Sequence, residues 1–570
     1  MDFSQSMPHR IQVAMGKSPA DIIFKNAKVV STFTEEIWET SVAVADGRIV
    51  AVDDSLEAKQ EIDLQGKYLS PSFIDAHIHV ESSMLSPEGF AETVVPHGTG
   101  AVVSDPHEIV NVLGIEGYKY MYRAAQDAPM DIHFSIPSCV PATHMETSGA
   151  EITAKDFEEI FRYNNATPAL SELMNYPGVY LCNEDVLQKV ATAHKLGLNI
   201  DGHSPMLKGR ELNAYLNAGI FTDHECTSAQ EATEKLRKGM HVLMREGSAA
   251  RNLKALIPVL TDQTAHRICI ASDDRHPDQL LEHGHLNLIL KMLIDAGVDP
   301  IRAIRIMTLN PATVYNLKWV GGIGIGYYAN FVILDDLQQV KIDSVYYRGK
   351  KVAENGKIIK KVTRTEASST YDSVHVPNDL SEKLNNYPTS GKVNAIKILP
   401  GELITEKEIV DLDNQEQTDL CYLAVVERHG KNAQVGLGYV VGMGLQSGAL
   451  ASTVAHDNHN LILVGKNIND MISVAQTIQK IGGGFAVVDK GETLCELPLR
   501  IAGLMSDAPV DDVVKNLHDI EEKAQQIGTQ LKSPFMVLSF LALAVIPHLK
   551  LTDFGLVDVD KFAVIDLLES

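Results

Sequence analysis

The stretch Ser72–Ser83, SFIDAHIHVESS, carries two histidines one residue apart in a run that otherwise reads as a β-strand. Residues i and i+2 of a strand leave the same face, so the rings of His77 and His79 and the carboxylate of Glu81 are expected side by side. Two imidazoles converging on one point suit a divalent metal ion. A lone H-x-H is more often a polar strand end with solvated rings. The metal reading therefore depends on whether the rest of the chain supplies the missing ligands.

Working outward, the segment from Tyr68 to Leu317 alternates strand-like and helix-like text. After YLSPSFIDAH come the apolar runs GAVVSD, DIHFSIPS, ALSE, LNIDGH, IFTDH, HVLMRE and RICIASD, separated by stretches such as DVLQKVATAHKLG and AQEATEKLRKG. Eight strands over about 250 residues, each followed by room for a helix, match a (β/α)8 TIM-like barrel. A doubly wound open sheet is the competing α/β arrangement. Polar residues separate the two, because they collect at strand C-terminal ends, where barrel enzymes place their chemistry. Strand one ends in His77 and His79, strand four in Glu172, strand five in His203, strand six in His224 and strand eight in Asp273. Parity agrees: Leu198 and Ile200 oppose Asp201 and His203, and Ile268 and Ile270 oppose Cys269, Ala271 and Asp273.

On either side of the barrel the texture changes. Asp21–Gln65 and Asn330–Ile359 read as short β runs broken by turns such as Asp46-Gly47 and Gln65-Gly66. They predict a discontinuous β-sandwich domain made from 1–67 and 318–365, enclosing the barrel at 68–317. The polar, turn-rich link Thr363–Lys383 leads to an additional C-terminal α/β domain at 381–570. Its strand-like runs include LCYLAVVERHG, NLILVG and GFAVVDKG, alternating with helical stretches such as NDMISVAQTIQKIGG.

A chain of 570 residues with 45% hydrophobic content can bury several cores. Its 50 basic and 74 acidic residues leave a net charge of −24, which disfavours nucleic acid and anionic membrane surfaces and leaves small molecules as partners. A solvated acidic surface is the simplest account of that charge. Six widely spaced cysteines with no C-x-x-C pair predict reduced thiols in a cytosolic protein. No window reaches the roughly 18 consecutive apolar residues of a membrane span, and the N-terminus lacks a secretory apolar run. A soluble, cytoplasmic homo-oligomer is expected.

Four histidines and two acids at strand ends are enough for two divalent transition-metal ions. Imidazole and carboxylate donors suit zinc, iron or manganese, and the lack of thiolates argues against a structural zinc cage. Two ions about 3.5–4 Å apart can share a water and lower its pKa toward 7.

The motifs PSFIDAHIH, DGH, DHE, ASDD and TLNPA resemble those of the metal-dependent amidohydrolase superfamily. More narrowly, HIHVESS, VSDPHEIVNVLG, LNIDGHSP, TDHECTSAQEA, REGSAARNL and ASDDR are similar to the bacterial adenine deaminase family, over nearly the whole chain. Ser72 departs from the superfamily's usual glycine after the proline. The resemblance implies that His77 and His79 hold one metal, that His203 and His224 hold the other, and that Glu172 bridges them. Asp273 would bind metal and move protons. It also implies hydrolysis of adenine, a purine-salvage reaction: hydroxide adds at C6, N1 gains a proton from Glu172 or another strand-end acid, and ammonia leaves. The free base rather than the nucleoside is the implied substrate. Glu184, which opens the helix after strand four, is a rival for Glu172. Asp105, His107, Glu108 and Asp274 are candidates for lining the purine pocket, although Asp105 could equally cap its own βα loop.

Other signals are weaker. His144-Met-Glu146 imitates the H-x-E of another zinc deaminase class but lacks its P-C-x-x-C. The glycine-rich GIGIGYY and GLGYVVGMG do not sit in a strand–GxGxxG–helix unit. Arg428, His429, His456, Asp457 and His459 read as surface or interface residues, with closure of the active site as the minority alternative. The competing functions are an amidohydrolase acting on another aminopurine or a cyclic amide, and a scaffold that has lost its ligands. Cyclic-amide hydrolases of this type commonly bridge their metals with a carboxylated lysine, and ALSELMN offers Glu172 but no lysine.

Overall fold

The computed structural model describes residues 3–399, 401–414 and 419–569. The outermost positions of the expected first and last domains, 1–2 and 570, lie outside them. All eight expected strands of the central segment form: Phe73–His79, Thr99–Ser104, Asp131–Phe134, Ala169–Leu173, Asn199–Gly202, Thr222–Asp223, His241–Arg245 and Ile268–Ala271. They pair in parallel, first with second and third, fourth with fifth, and sixth with seventh and eighth. An Ile136↔Leu170 bridge joins the third strand to the fourth. Asp273 and Asp274 then pair with Ile78 and His79, which returns the eighth strand to the first. This is the α/β-barrel type of arrangement.

The side-chain parity read from strand eight holds. Cys269 and Ala271 pack inward with Ala76, Val103, Ala169, Leu243 and Tyr315, while Ile268 and Ile270 pack outward on Leu286, Ile289 and Leu293 of the covering helices. Small inward residues leave room for buried polar groups below the ligands, such as Asp201, whose Oδ1 accepts from Tyr315 Oη at 2.9 Å. Two details differ from expectation. The first strand stops at His79, and Glu81 lies in a short 3-10 turn, Val80–Ser83. It therefore does not share the strand face of the two histidines. Asp273 has φ +58°, so strand parity does not orient it; its pairing with the first strand does.

The β runs flanking the barrel form one nine-stranded sheet. Its halves meet where Phe331–Asp336 pairs antiparallel with Tyr68–Pro71, Phe331 opposite Pro71. Phe24 sits 5.4 Å from Phe331 and 5.0 Å from Tyr346, centroid to centroid. Tyr346 lies three strands away in the ladder, so the sheet curls over a shared core, since flat neighbours step by about 4.8 Å each. A helix, Phe3–Ala14, precedes the sheet and was not anticipated.

The C-terminal region differs from an alternating α/β pattern. Its eight-stranded sheet is antiparallel except where Lys392–Ile398 pairs with Val435–Val441. Short connections decide this, because parallel neighbours need a long crossover. Between Gly484–Asp489 and Glu492–Pro498 only Lys490 and Gly491 remain, both with positive φ, as a tight hairpin turn demands. One apolar cluster runs without interruption from the barrel's Phe90, Phe134 and Tyr215 to Phe485, Phe535 and Leu551 of this region.

Candidate metal centre

At the C-terminal ends of the strands the six expected ligands converge. His77 and His79 point their Nε2 atoms at each other, 3.2 Å apart. The two oxygens of Glu172 face different histidines. Oε1 lies 3.2 Å from His79 Nε2 and 4.0 Å from His77 Nε2, whereas Oε2 lies 2.6 Å from His203 Nδ1 and 3.2 Å from His224 Nε2. Asp273 Oδ1 is 3.2 Å from His79 Nε2 and 3.8 Å from His77 Nε2. The rings of His77 and His224 stack at 4.1 Å. Repelling lone pairs of imidazole, packed this tightly beside two buried carboxylates, are the arrangement that divalent cations neutralise. The donors are all nitrogen and oxygen, which suits zinc, iron or manganese. The rival Glu184 is exposed on the helix Glu184–Leu196.

Buried polar groups one step away hold the ligands. Asp75 Oδ1 accepts from the His77 and Ser272 backbone N–H groups, and its Oδ2 lies 2.9 Å from His285 Nε2, tying strand one to strand eight. Asp223 accepts from the Ser204 N–H and hydroxyl, and the Lys235 ammonium joins Asp223 at 2.9 Å and the Ser204 carbonyl at 2.7 Å. His203 and His224, the neighbours of Ser204 and Asp223, are fixed by that clamp. Burial pushes the Asp223 carboxyl up, but Lys235 and His224 outweigh it and hold it well below the usual range. Arg245 Nη1 donates to Asp273 Oδ2 at 2.6 Å and also bonds Glu225. Sequence reasoning missed Arg245 and Glu225; their signal was the R one before the end of HVLMRE and an E directly after the expected ligand His224.

The loop-cap reading of the VSDPHEI residues holds. Asp105 does cap its loop, accepting from the His107 N–H at 3.1 Å, and it also bonds His107 Nδ1 at 2.9 Å. His107 Nδ1 comes within 3.6 Å of Glu172. Glu108 turns away and accepts from His456 Nδ1 at 2.8 Å and from His459 Nε2, both in the C-terminal region. Of the surface-or-interface reading of the VAHDNHN and ERHG residues, the surface part is corrected: His456, His459 and Arg428 are buried at the contact with the barrel, and Arg428 donates to the carbonyls of His459, Ser373 and Ala502. Glu146 is buried as well, and Asn458 Nδ2 donates to it at 2.6 Å. The loop His456–Asn460 is pinned onto the barrel mouth at three points. Asp274 sits beside the centre, its Oδ1 accepting from Ser82 Oγ at 2.5 Å.

Two family models match. The amidohydrolase family covers residues 68–354, and the adenine deaminase C-terminal domain covers 402–563. The adenine deaminase of Desulfatibacillum aliphaticivorans is 44% identical over 566 residues, spanning 98% of this chain and 99% of that protein. That of Oleidesulfovibrio alaskensis is 43% identical over 575 residues, spanning 99% of each. The chain belongs to the adenine deaminase family. Within the adenine deaminase C-terminal match lies His456–Asn460, so the match includes the loop that closes on Glu108. The amidohydrolase match takes in all six converging ligands.

Proposed function

We propose that the protein hydrolyses adenine to hypoxanthine and ammonia at a binuclear metal centre. The observation that carries the centre is Glu172, which offers one oxygen to His77 and His79 and the other to His203 and His224. The substrate follows from membership of the adenine deaminase family along nearly the full chain. In this reading His77 and His79 would hold one ion and His203 and His224 the other, with Glu172 and Asp273 completing the donor set. When bound, such ions acidify a water toward a pKa of about 7.

The chain's own groups do the rest. Asp273, kept ionised by Arg245, accepts the proton that the attacking water loses and passes it toward the departing amine. A neighbouring strand-end acid other than the ionised Glu172 protonates N1 as C6 becomes tetrahedral. Positioned acid–base help of this kind contributes about 10²–10⁴-fold. The pinned C-terminal loop and the buried Asp105–His107–Glu108 run enclose the base and keep bulk water out.

We also read the eight strands as one closed barrel at 68–317, flanked by the 1–67 and 318–365 sandwich and a 381–570 domain. Six unpaired cysteines support a reducing compartment, the cytoplasm, and hydrolysis of adenine to hypoxanthine would place the enzyme in purine salvage. A homo-oligomer is expected from native mass spectrometry. The deciding experiment measures ammonia release from adenine, other 6-aminopurines, pyrimidines and cyclic amides. Chelation should abolish turnover, and manganese, iron or zinc should restore it. An active preparation free of transition metal, or turnover confined to cyclic amides, would overturn the reading.

A further inference from the structure

Strands four and five do not keep one register as they approach the metal centre. Ile200 pairs with Leu170 but Gly202 pairs with Leu173, so Ser171 and Glu172 together face Asp201 alone. Glu172 therefore stands in a β-bulge, a device that re-aims a side chain and interrupts the ladder. Beyond it, two successive N–H groups at the end of strand five go to side-chain hydroxyls. Gly202 donates to Thr222 Oγ1 at 3.0 Å, and His203 donates to Tyr215 Oη at 3.1 Å.

The Tyr215 hydroxyl in turn donates to the Leu173 carbonyl at 2.9 Å. It thus bridges the two strand ends, one residue past Glu172 on one side and at His203 itself on the other. Tyr215 comes from the helix Gly209–Asn217 and is fully buried. Its ring lies against Gly202, where an added Cβ would come within 3.2 Å of Cε1 and 2.2 Å of the Thr222 carbonyl. Glycine at 202 lets the hydroxyl reach past strand five to strand four. The side chains on either side of this bridge, Glu172 Oε2 and His203 Nδ1, stand 2.6 Å apart. The His77 backbone, by contrast, is held by Asp75 on strand one.

We infer that Tyr215 is a positioning residue whose hydroxyl sets the separation of Glu172 and His203, and with it the affinity of the His203–His224 metal site but not that of the His77–His79 site. The inference rests on the binuclear reading above.

The test compares Tyr215→Phe with Tyr118→Phe. Tyr118 is equally buried, and its hydroxyl donates to the Phe134 carbonyl at 3.2 Å and accepts from Asn164 Nδ2 at 2.9 Å. Phe134 belongs to strand three, which supplies no expected ligand. Each substitution removes one buried oxygen and keeps the ring, so denaturant unfolding of the metal-free chains should show similar losses. Manganese titration of metal-depleted protein, followed by calorimetry, should show two equivalents of unchanged affinity in the native chain and in Tyr118→Phe. In Tyr215→Phe one equivalent should keep its affinity and the other should weaken about ten- to hundredfold, the usual effect of losing a group that orients a metal ligand. A merely structural role would weaken both equivalents together or neither, and either result in folded Tyr215→Phe would overturn the inference. Fewer than two equivalents in the native chain would overturn the binuclear reading, and this inference with it.

Discussion

Asp273 occupies the left-handed region at φ +58°, a conformation that costs a non-glycine residue roughly 1–3 kcal/mol. Arg245 and the pairing with Ile78 hold it there, against the His77 and His79 nitrogens. Burial pushes its carboxyl up, but Arg245 and His79 outweigh burial and keep it well below the ordinary range. In Asp274 burial and the neighbouring Asp273 charge act together and push the carboxyl up. Adjacent aspartates in such different settings should respond differently to the same change. Asp273→Asn keeps the shape and loses the basic oxygen, so kcat should fall by roughly 10²-fold or more, about 2.7 kcal/mol of barrier. Asp274→Asn should act mainly on KM. Steady-state kinetics with metal content checked in each variant decides this. A dead Asp274→Asn beside a near-normal Asp273→Asn would move the proton-handling role by one residue.

At the scale of elements, the loop after strand five and the end of strand six depend on one buried ion pair. Asp223 and Lys235 are both fully buried, and Lys235 comes from the helix Ala229–Arg237. Removing one partner leaves the other charged without compensation, so Lys235→Met should destabilise by about 3–5 kcal/mol. Denaturant unfolding measures the loss, and weaker metal retention should accompany it because His203 and His224 lose their anchor. Neither effect would appear if the pair were a surface contact. This clamp was not legible in the text, since Lys235 sits in a run, EATEKLRKG, that reads as a solvated helix face. The strand order, the convergence of the six strand-end residues and the inward path of Cys269 and Ala271 were legible, because period-two alternation and strand-end polarity are local signals. Glu81 was misplaced by the same rule: alternation was extended past His79, where a 3-10 turn takes over. The partners of Glu108 lie 348 and 351 residues away, and no local pattern encodes a contact at that distance.

For the molecule as a whole, the uninterrupted apolar cluster implies that barrel and C-terminal region stabilise each other. A chain ending at Thr370 would strip the C-terminal region from the cluster and uncover Met84 and Leu85, whose backbone pairs with Ser506, and it should be recovered as aggregate rather than as a metal-binding barrel. Sedimentation of the truncated protein tests this. The junction also carries a pH dependence. Burial, reinforced by Asp457, pushes the Glu146 carboxyl up to about 8 where it meets Asn458. Its folded value lies above the unfolded one, so the folded state holds the proton longer. Stability therefore falls as pH rises from about 4.5 to 8. Glu146→Gln should flatten the decline in melting temperature between pH 6 and pH 9; an unaltered slope would assign the decline to other groups. The sheet whose halves meet at Pro71 and Phe331 has a consequence for synthesis. Its first five strands leave the ribosome long before their partners, and at about 5–20 residues per second the wait is on the order of ten seconds to a minute. Throughout that interval the edge of Tyr68–Pro71 has unpaired backbone groups, the kind of template that recruits stray strands. The nascent chain is thus most exposed to misassembly, and most in need of a chaperone, while its own barrel is being made.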